Sequence, residues 1–106
     1  MSQAYEVAKV NSGSTAYVAG TDAVVIAADT TKRGVKRVRV SCAVDAAVTP
    51  ILRIGGVNES AGFATVANVG FDAFHDIPGN VAQAGYSVRF SGNCNILRLL
   101  VTEEDL

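Results

Sequence analysis

The chain has 106 residues, a length that fits one compact domain and argues against a second independently folding core. Nearly half of the residues are hydrophobic and 18% are charged, which excludes the composition of an intrinsically disordered segment. A formal net charge of −1 gives no global attraction to nucleic acid or an anionic membrane, and no apolar run approaches the roughly 20 residues that span a bilayer.

Met1-Ser2-Gln3 reads as a flexible arm, and the first six residues lack the basic and apolar blocks of a secretory leader, which points to a protein made in the cytoplasm. Candidate strands follow at 4–10, 17–18 and 23–28, separated by the turn residues Asn11-Ser12-Gly13-Ser14 and Gly20-Thr21-Asp22. The clearest strand is 35–44, where Val38, Val40, Cys42 and Val44 alternate with Arg37, Arg39, Ser41 and Ala43; period two puts one set in a core and the other on a polar face. Pro50 lies inside the next candidate, 48–54, and so assigns it to a sheet edge or a bulge. Gly55-Gly56-Val57-Asn58 separates it from a strand at 63–69 and a shorter one near 71–74. Ile77-Pro78-Gly79-Asn80 fits a type II turn, with Pro presetting φ and Gly accepting the positive φ that follows.

Tyr86, Val88 and Phe90 alternate with Ser87, Arg89 and Ser91, and Gly92-Asn93 then leads into 96–101, which together predict a C-terminal hairpin. Its second arm is apolar on both faces, so it either lies centrally between layers or turns one face toward another subunit. Since Leu97, Leu99 and Val101 cannot share a face with Ile96 and Leu100, one of the two sets is expected to contact another subunit. Glu103-Glu104-Asp105-Leu106 reads as a free acidic tail. No segment sustains a helical stripe, and regularly spaced short strands predict an all-β fold: a small antiparallel β-sandwich, jelly-roll-like, with about eight short strands in one domain over 1–106.

Residues with catalytic potential are few. The single histidine, His75, lies between Asp72 and Asp76, but strand geometry turns those carboxylates to the opposite face, so it reads as a surface or turn residue. No Gly-x-Ser-x-Gly elbow is present, Ser60-Ala61-Gly62 reads as a loop, and no glycine cluster stands in a strand-to-helix phosphate cradle. Neither an enzyme nor a cofactor or metal site is expected. Cys42 and Cys94 are too few for a disulfide scaffold or a zinc site and read as reduced thiols. Lys32, Arg33, Lys36, Arg37 and Arg39 form the one basic cluster, either a solvated sheet face or a contact for an acidic partner. It could also pair with the acidic tail of a neighbouring subunit. Ala and Val supply 16 residues each and there is no Trp, a core of small side chains for which self-association is one remedy.

Three features together carry a family likeness: the Met1-Ser2-Gln3 start, the Ala/Val/Gly/Thr-rich strands, and Ala84-Gly85-Tyr86-Ser87-Val88-Arg89-Phe90 followed closely by Ile96-Leu97-Arg98-Leu99-Leu100-Val101. On these the chain resembles the small β-sandwich proteins that decorate or cement the capsids of tailed bacteriophages. The resemblance implies a homotrimeric jelly roll or sandwich at the symmetry axes of an icosahedral shell. It further implies assembly in the host cytoplasm, the major capsid protein as partner, and an N-terminal arm reaching a neighbour. A carbohydrate- or receptor-binding module of a phage fibre or bacterial surface assembly is the alternative, although the seven aromatics mostly fall at alternating, core-like positions.

Overall fold

A computed structural model describes residues 4–10, 14–60 and 63–106. The expected arm at 1–3, the turn residues Asn11-Ser12-Gly13 and the pair Ala61-Gly62 lie outside them. Nine strands and one short helix follow in the order β1 (Ala4–Val10), β2 (Thr15–Tyr17), β3 (Val24–Ile26), β4 (Lys36–Val44), β5 (Pro50–Ile54), β6 (Val57–Ser60), β7 (Phe71–Ile77), α1 (Gly79–Ala84), β8 (Tyr86–Phe90) and β9 (Cys94–Asp105). They form two antiparallel sheets, one ordered β1-β9-β4-β7 with β2 continuing the β1 edge of β9, the other β3-β8-β5-β6. With β1 and β2 counted as one interrupted strand, the pairs β1/β2 with β9, β3 with β8, β4 with β7 and β5 with β6 nest as one folded ribbon. This is the eight-stranded jelly roll. The all-β sandwich is as expected.

Alternation decides what lies between the sheets. On β4, Val38, Val40, Cys42 and Val44 face inward against Ile96, Leu99 and Val101 of β9 and against Leu52, Val88 and Phe90 of the opposing sheet. Tyr17 closes one end: its ring meets Phe90 edge-on at 5.4 Å and its hydroxyl donates to the carbonyls of Thr21 (2.7 Å) and Phe90 (3.1 Å).

Several expectations are corrected. β8 and β9 do not form a hairpin; they belong to different sheets, and 91–93 carries the chain across the sandwich. Residues 103–105 are no free tail, because β9 runs on to Asp105 and pairs with β4 through Val38↔Glu103 and Lys36↔Asp105. Ile96, Leu99 and Val101 all belong to the domain's own core, since Ala43 pairs with Arg98 but Val44 with Ile96, leaving Leu97 as a bulge that shifts the alternation by one residue. Pro50 opens β5, which lies inside its sheet rather than at the edge; as first residue it leaves the remaining ladder to Ile51–Ile54.

The strand expected at 63–69 is a loop, and the strand after β5 is instead β6. Ile54 pairs directly with Val57, and Gly55 and Gly56 between them have φ of 57° and 79°, the two left-handed residues of a type I′ turn. The expected turn at Pro78 is the entry to α1, where the amides of Val81 and Ala82 both donate to the Pro78 carbonyl. Gly79 is needed there for close approach, because a Cβ would stand 2.5 Å from the Gly34 carbonyl oxygen. Among the described residues no helix is long and apolar enough to cross a membrane.

Candidate interaction surface

The outer face of the β1-β9-β4-β7 sheet is set by register. Across β9, β4 and β7 its rows read Glu104, Arg37, Asp76; then Thr102, Arg39, Phe74; then Leu100, Ser41, Asp72. Arg37 faces Asp76 directly and binds it with two bonds, Nε to Oδ1 at 2.9 Å and Nη2 to Oδ2 at 3.2 Å. Arg39 faces Phe74, lies over its ring 6.0 Å from the centroid, and reaches diagonally to Asp72 at 2.8 Å. These arginine bonds hold the Asp72 and Asp76 carboxyls below the ordinary value of 3.8.

Beside this ladder lies a cavity of ≈ 300 Å³ whose lining includes Arg39, Ser41, Asp72, Arg98, Leu100 and Thr102. Arg98 is exposed and forms no ion pair among the described residues; its one bond is a long 3.5 Å contact to Ser41 Oγ. Gly70 also lines the cavity, and a Cβ there would stand 3.9 Å from Arg98 Nη2.

The loop 63–70 runs into this cavity and is pinned by Thr65, only 2% exposed, whose hydroxyl donates to the carbonyls of Ala46 and Val48 (each 2.9 Å) and accepts from the Val48 amide (3.2 Å). The Thr65 amide donates to the Val48 carbonyl at 2.8 Å and that of Asn68 to the Val44 carbonyl at 2.7 Å. On this anchored backbone Phe63, Val66 and Val69 are 64%, 64% and 52% exposed, and Phe63 meets Phe71 edge-on at 5.2 Å. Sequence reading missed the loop and Arg98. Apolar residues spaced by three at 63, 66 and 69 were the available signal, since a half-buried strand demands spacing by two.

The basic cluster divides. Lys32 and Lys36 turn inward: Lys32 Nζ donates to buried Glu103 at 2.7 Å and lies 5.7 Å from the Tyr86 ring centroid, while Lys36, 4% exposed, pairs with Asp105. The pairing of basic and acidic groups is therefore made within the chain. Arg37 and Arg39 are held by carboxylates, and Arg33 donates to the carbonyls of Thr30 and Lys32. Of the proposed subunit contact, Ile96, Leu99 and Val101 are buried in the core, Leu97 is the half-buried bulge and Leu100 lies on the outer face.

His75 lies in β7 rather than in a turn, half-buried on the inward side opposite Asp72 and Asp76; burial lowers its pKa. Both cysteines are free thiols; burial pushes Cys42 up to about 11 and raises Cys94 as well, which keeps both protonated and unreactive near neutral pH. Among the described residues no group of three or more His, Cys, Asp or Glu side chains is placed to hold a metal ion. Compared with protein-family models, curated proteins and solved structures, the chain matches none of them.

Proposed function

We propose that this domain is a virion structural protein that binds the outer surface of a bacteriophage head and stabilises it as a decoration or cement protein, working as a homotrimer. The 63–70 loop supports this most directly. Three large apolar side chains held outward on a backbone fixed by Thr65 form a contact surface that loses little freedom on docking, as a passive binder requires. The jelly roll recurs in viral capsid proteins, and the whole-chain likeness to capsid-decorating sandwiches points the same way. Jelly rolls also serve lectins and cupins. Against a cupin-like metal enzyme stands the single histidine. Binding would be by mass action, with several copies engaging neighbouring shell subunits so that individually weak contacts add through effective concentration.

The test is to induce particle production in cells that carry the gene, band the particles by density and quantify their proteins by mass spectrometry. The protein is expected in the particle band at a fixed ratio to the major shell protein, and particles lacking it should rupture at lower temperature. Its absence from banded particles would overturn the proposal.

A further inference from the structure

We propose that the cavity on the outer sheet face is a carboxylate site, in which Arg98 receives an aspartate or glutamate side chain of the partner protein; this rests on the domain being a protein-binding part. Arg98 differs from the other arginines in what its donors do. Arg37, Arg39 and Arg89 each bind a carboxylate within 2.9 Å, Arg53 donates to Asn58 at 2.7 Å, and Arg33 donates to backbone carbonyls. Among the described residues Arg98 has only the 3.5 Å contact to Ser41, at the limit of a hydrogen bond, so its planar fork stays free for a bidentate acceptor.

The surroundings suit a carboxylate. The Thr102 hydroxyl lines the same cavity and supplies a further donor, while the Ser41 hydroxyl beside it is hydrogen-bonded to Asp72. Asp72, the one acid in the lining, is already bound by Arg39 at 2.8 Å, so an arriving anion meets a compensated carboxylate. With Arg39 set against Asp72, the lining keeps one net positive charge, that of Arg98.

Size and rim decide which carboxylate. A cavity of ≈ 300 Å³ sits at the lower bound of small-molecule sites and accommodates one side chain. The loop bearing Phe63, Val66 and Val69 leads into it, and Phe74 lies beneath Arg39 on its other side. An arginine amid exposed apolar and aromatic side chains is the composition of a protein–protein contact. The occupant is therefore an acidic residue flanked by apolar ones on a protein surface.

The probes are N-acetyl-glutamate N-methylamide, its glutamine counterpart and glucuronate, each titrated into the full-length protein while amide and Arg98 Nε–H resonances are followed by NMR. The glutamate compound should shift Ser41, Arg98 and Thr102 saturably, binding about tenfold or more tightly than the glutamine compound, and weaken as salt is raised. Arg98→Met should remove the saturable shift, and Arg98→Lys, which keeps the charge but not the fork, should retain only part of it. Equal response to the glutamine compound, shifts confined to other residues, or full binding by Arg98→Met would overturn the site. Tighter binding of glucuronate than of the glutamate compound would overturn the protein partner in favour of an acidic sugar. Particle association separates the two proposals. Carboxylate binding by a protein absent from particles removes the virion role alone, whereas a particle-bound protein without carboxylate binding removes this site alone.

Discussion

Glu103 is fully buried at the end of the sandwich, where it accepts from Lys32 at 2.7 Å, from the Tyr5 hydroxyl at 3.0 Å and from the Tyr86 hydroxyl. Burial first, and then the neighbouring carboxylate, push Tyr5 up to about 12 and Tyr86 higher still, so both hydroxyls remain donors across the physiological range. Breaking a buried ion pair from one side leaves the other charge uncompensated, and Glu103→Leu should destabilise the domain by about 3–5 kcal/mol in urea unfolding. The double change Glu103→Leu with Lys32→Met should recover part of that loss, because no charge is then stranded while the buried Tyr86 hydroxyl still lacks its acceptor. In composition alone these residues were an acidic tail and a basic cluster; only the continuation of β9 past Val101 shows that alternation carries Glu103 inside. His75 gives a second test at this scale. Desolvation holds its folded pKa below the ordinary 6.5, with Glu59 opposing in part, so the unfolded chain takes up the proton first. Stability is then complete above about 6.5 and falls as pH drops toward the lower folded value, beyond which the loss is constant. The urea midpoint should be lower near pH 5.5 than near pH 7.5, and His75→Phe should abolish that slope. Asp22 and Asp72, lowered by their arginine partners, act in a separate window: their contribution is present above 3.8 and is lost as pH falls through their depressed values.

Period-two alternation was enough to place β4 and β8, because Val38, Val40, Cys42 and Val44 in the one and Tyr86, Val88 and Phe90 in the other stay in the core along the whole strand. Where alternation is interrupted, legibility ended. The bulge at Leu97 places Ile96 and Leu99 on one face, a shift that no counting of apolar positions reveals without the partner strand. The β5–β6 hairpin was hidden because β6, Val57–Ser60, has only one apolar residue, so Gly55-Gly56 looked like a separator rather than a turn joining paired strands. Its left-handed geometry makes a definite expectation. Gly55, at φ 57° with open space around it, should tolerate Asn, the preferred first residue of a type I′ turn, with little change in stability. Gly55→Val should destabilise by about 1–2 kcal/mol, since a β-branched side chain meets the left-handed penalty in full. Thermal unfolding resolves the two, as about 1 kcal/mol moves the midpoint of a domain this size by roughly 4–8 °C. A Val variant as stable as the Asn variant would mean that the turn is not type I′.

The chain has a Cα radius of gyration of 13.1 Å, the compactness of a folded domain with this number of residues. Two arguments pointed to self-association. The apolar last strand is no longer one of them, because the bulge puts Ile96, Leu99 and Val101 into the domain's own core. The other stands: among the buried hydrophobic residues of the described chain Val is the commonest and the largest aromatic is tyrosine, a core of modest side chains for which self-association is one remedy. A trimer would add stability by mass action, which makes the thermal midpoint rise with protein concentration. Sedimentation equilibrium at micromolar concentration should then give three times the 11.0 kDa chain mass. A constant 11.0 kDa species with a concentration-independent midpoint would rule out the trimer. Shell contact and subunit contact are separable in the same experiment. Phe63 and Val66 stand on the loop assigned to the shell, so the double variant Phe63→Ser with Val66→Ser should keep the trimer mass and thermal midpoint while losing most of its association with particles. If the variant is monomeric instead, the loop is the subunit contact, and the shell must be met through another part of the surface.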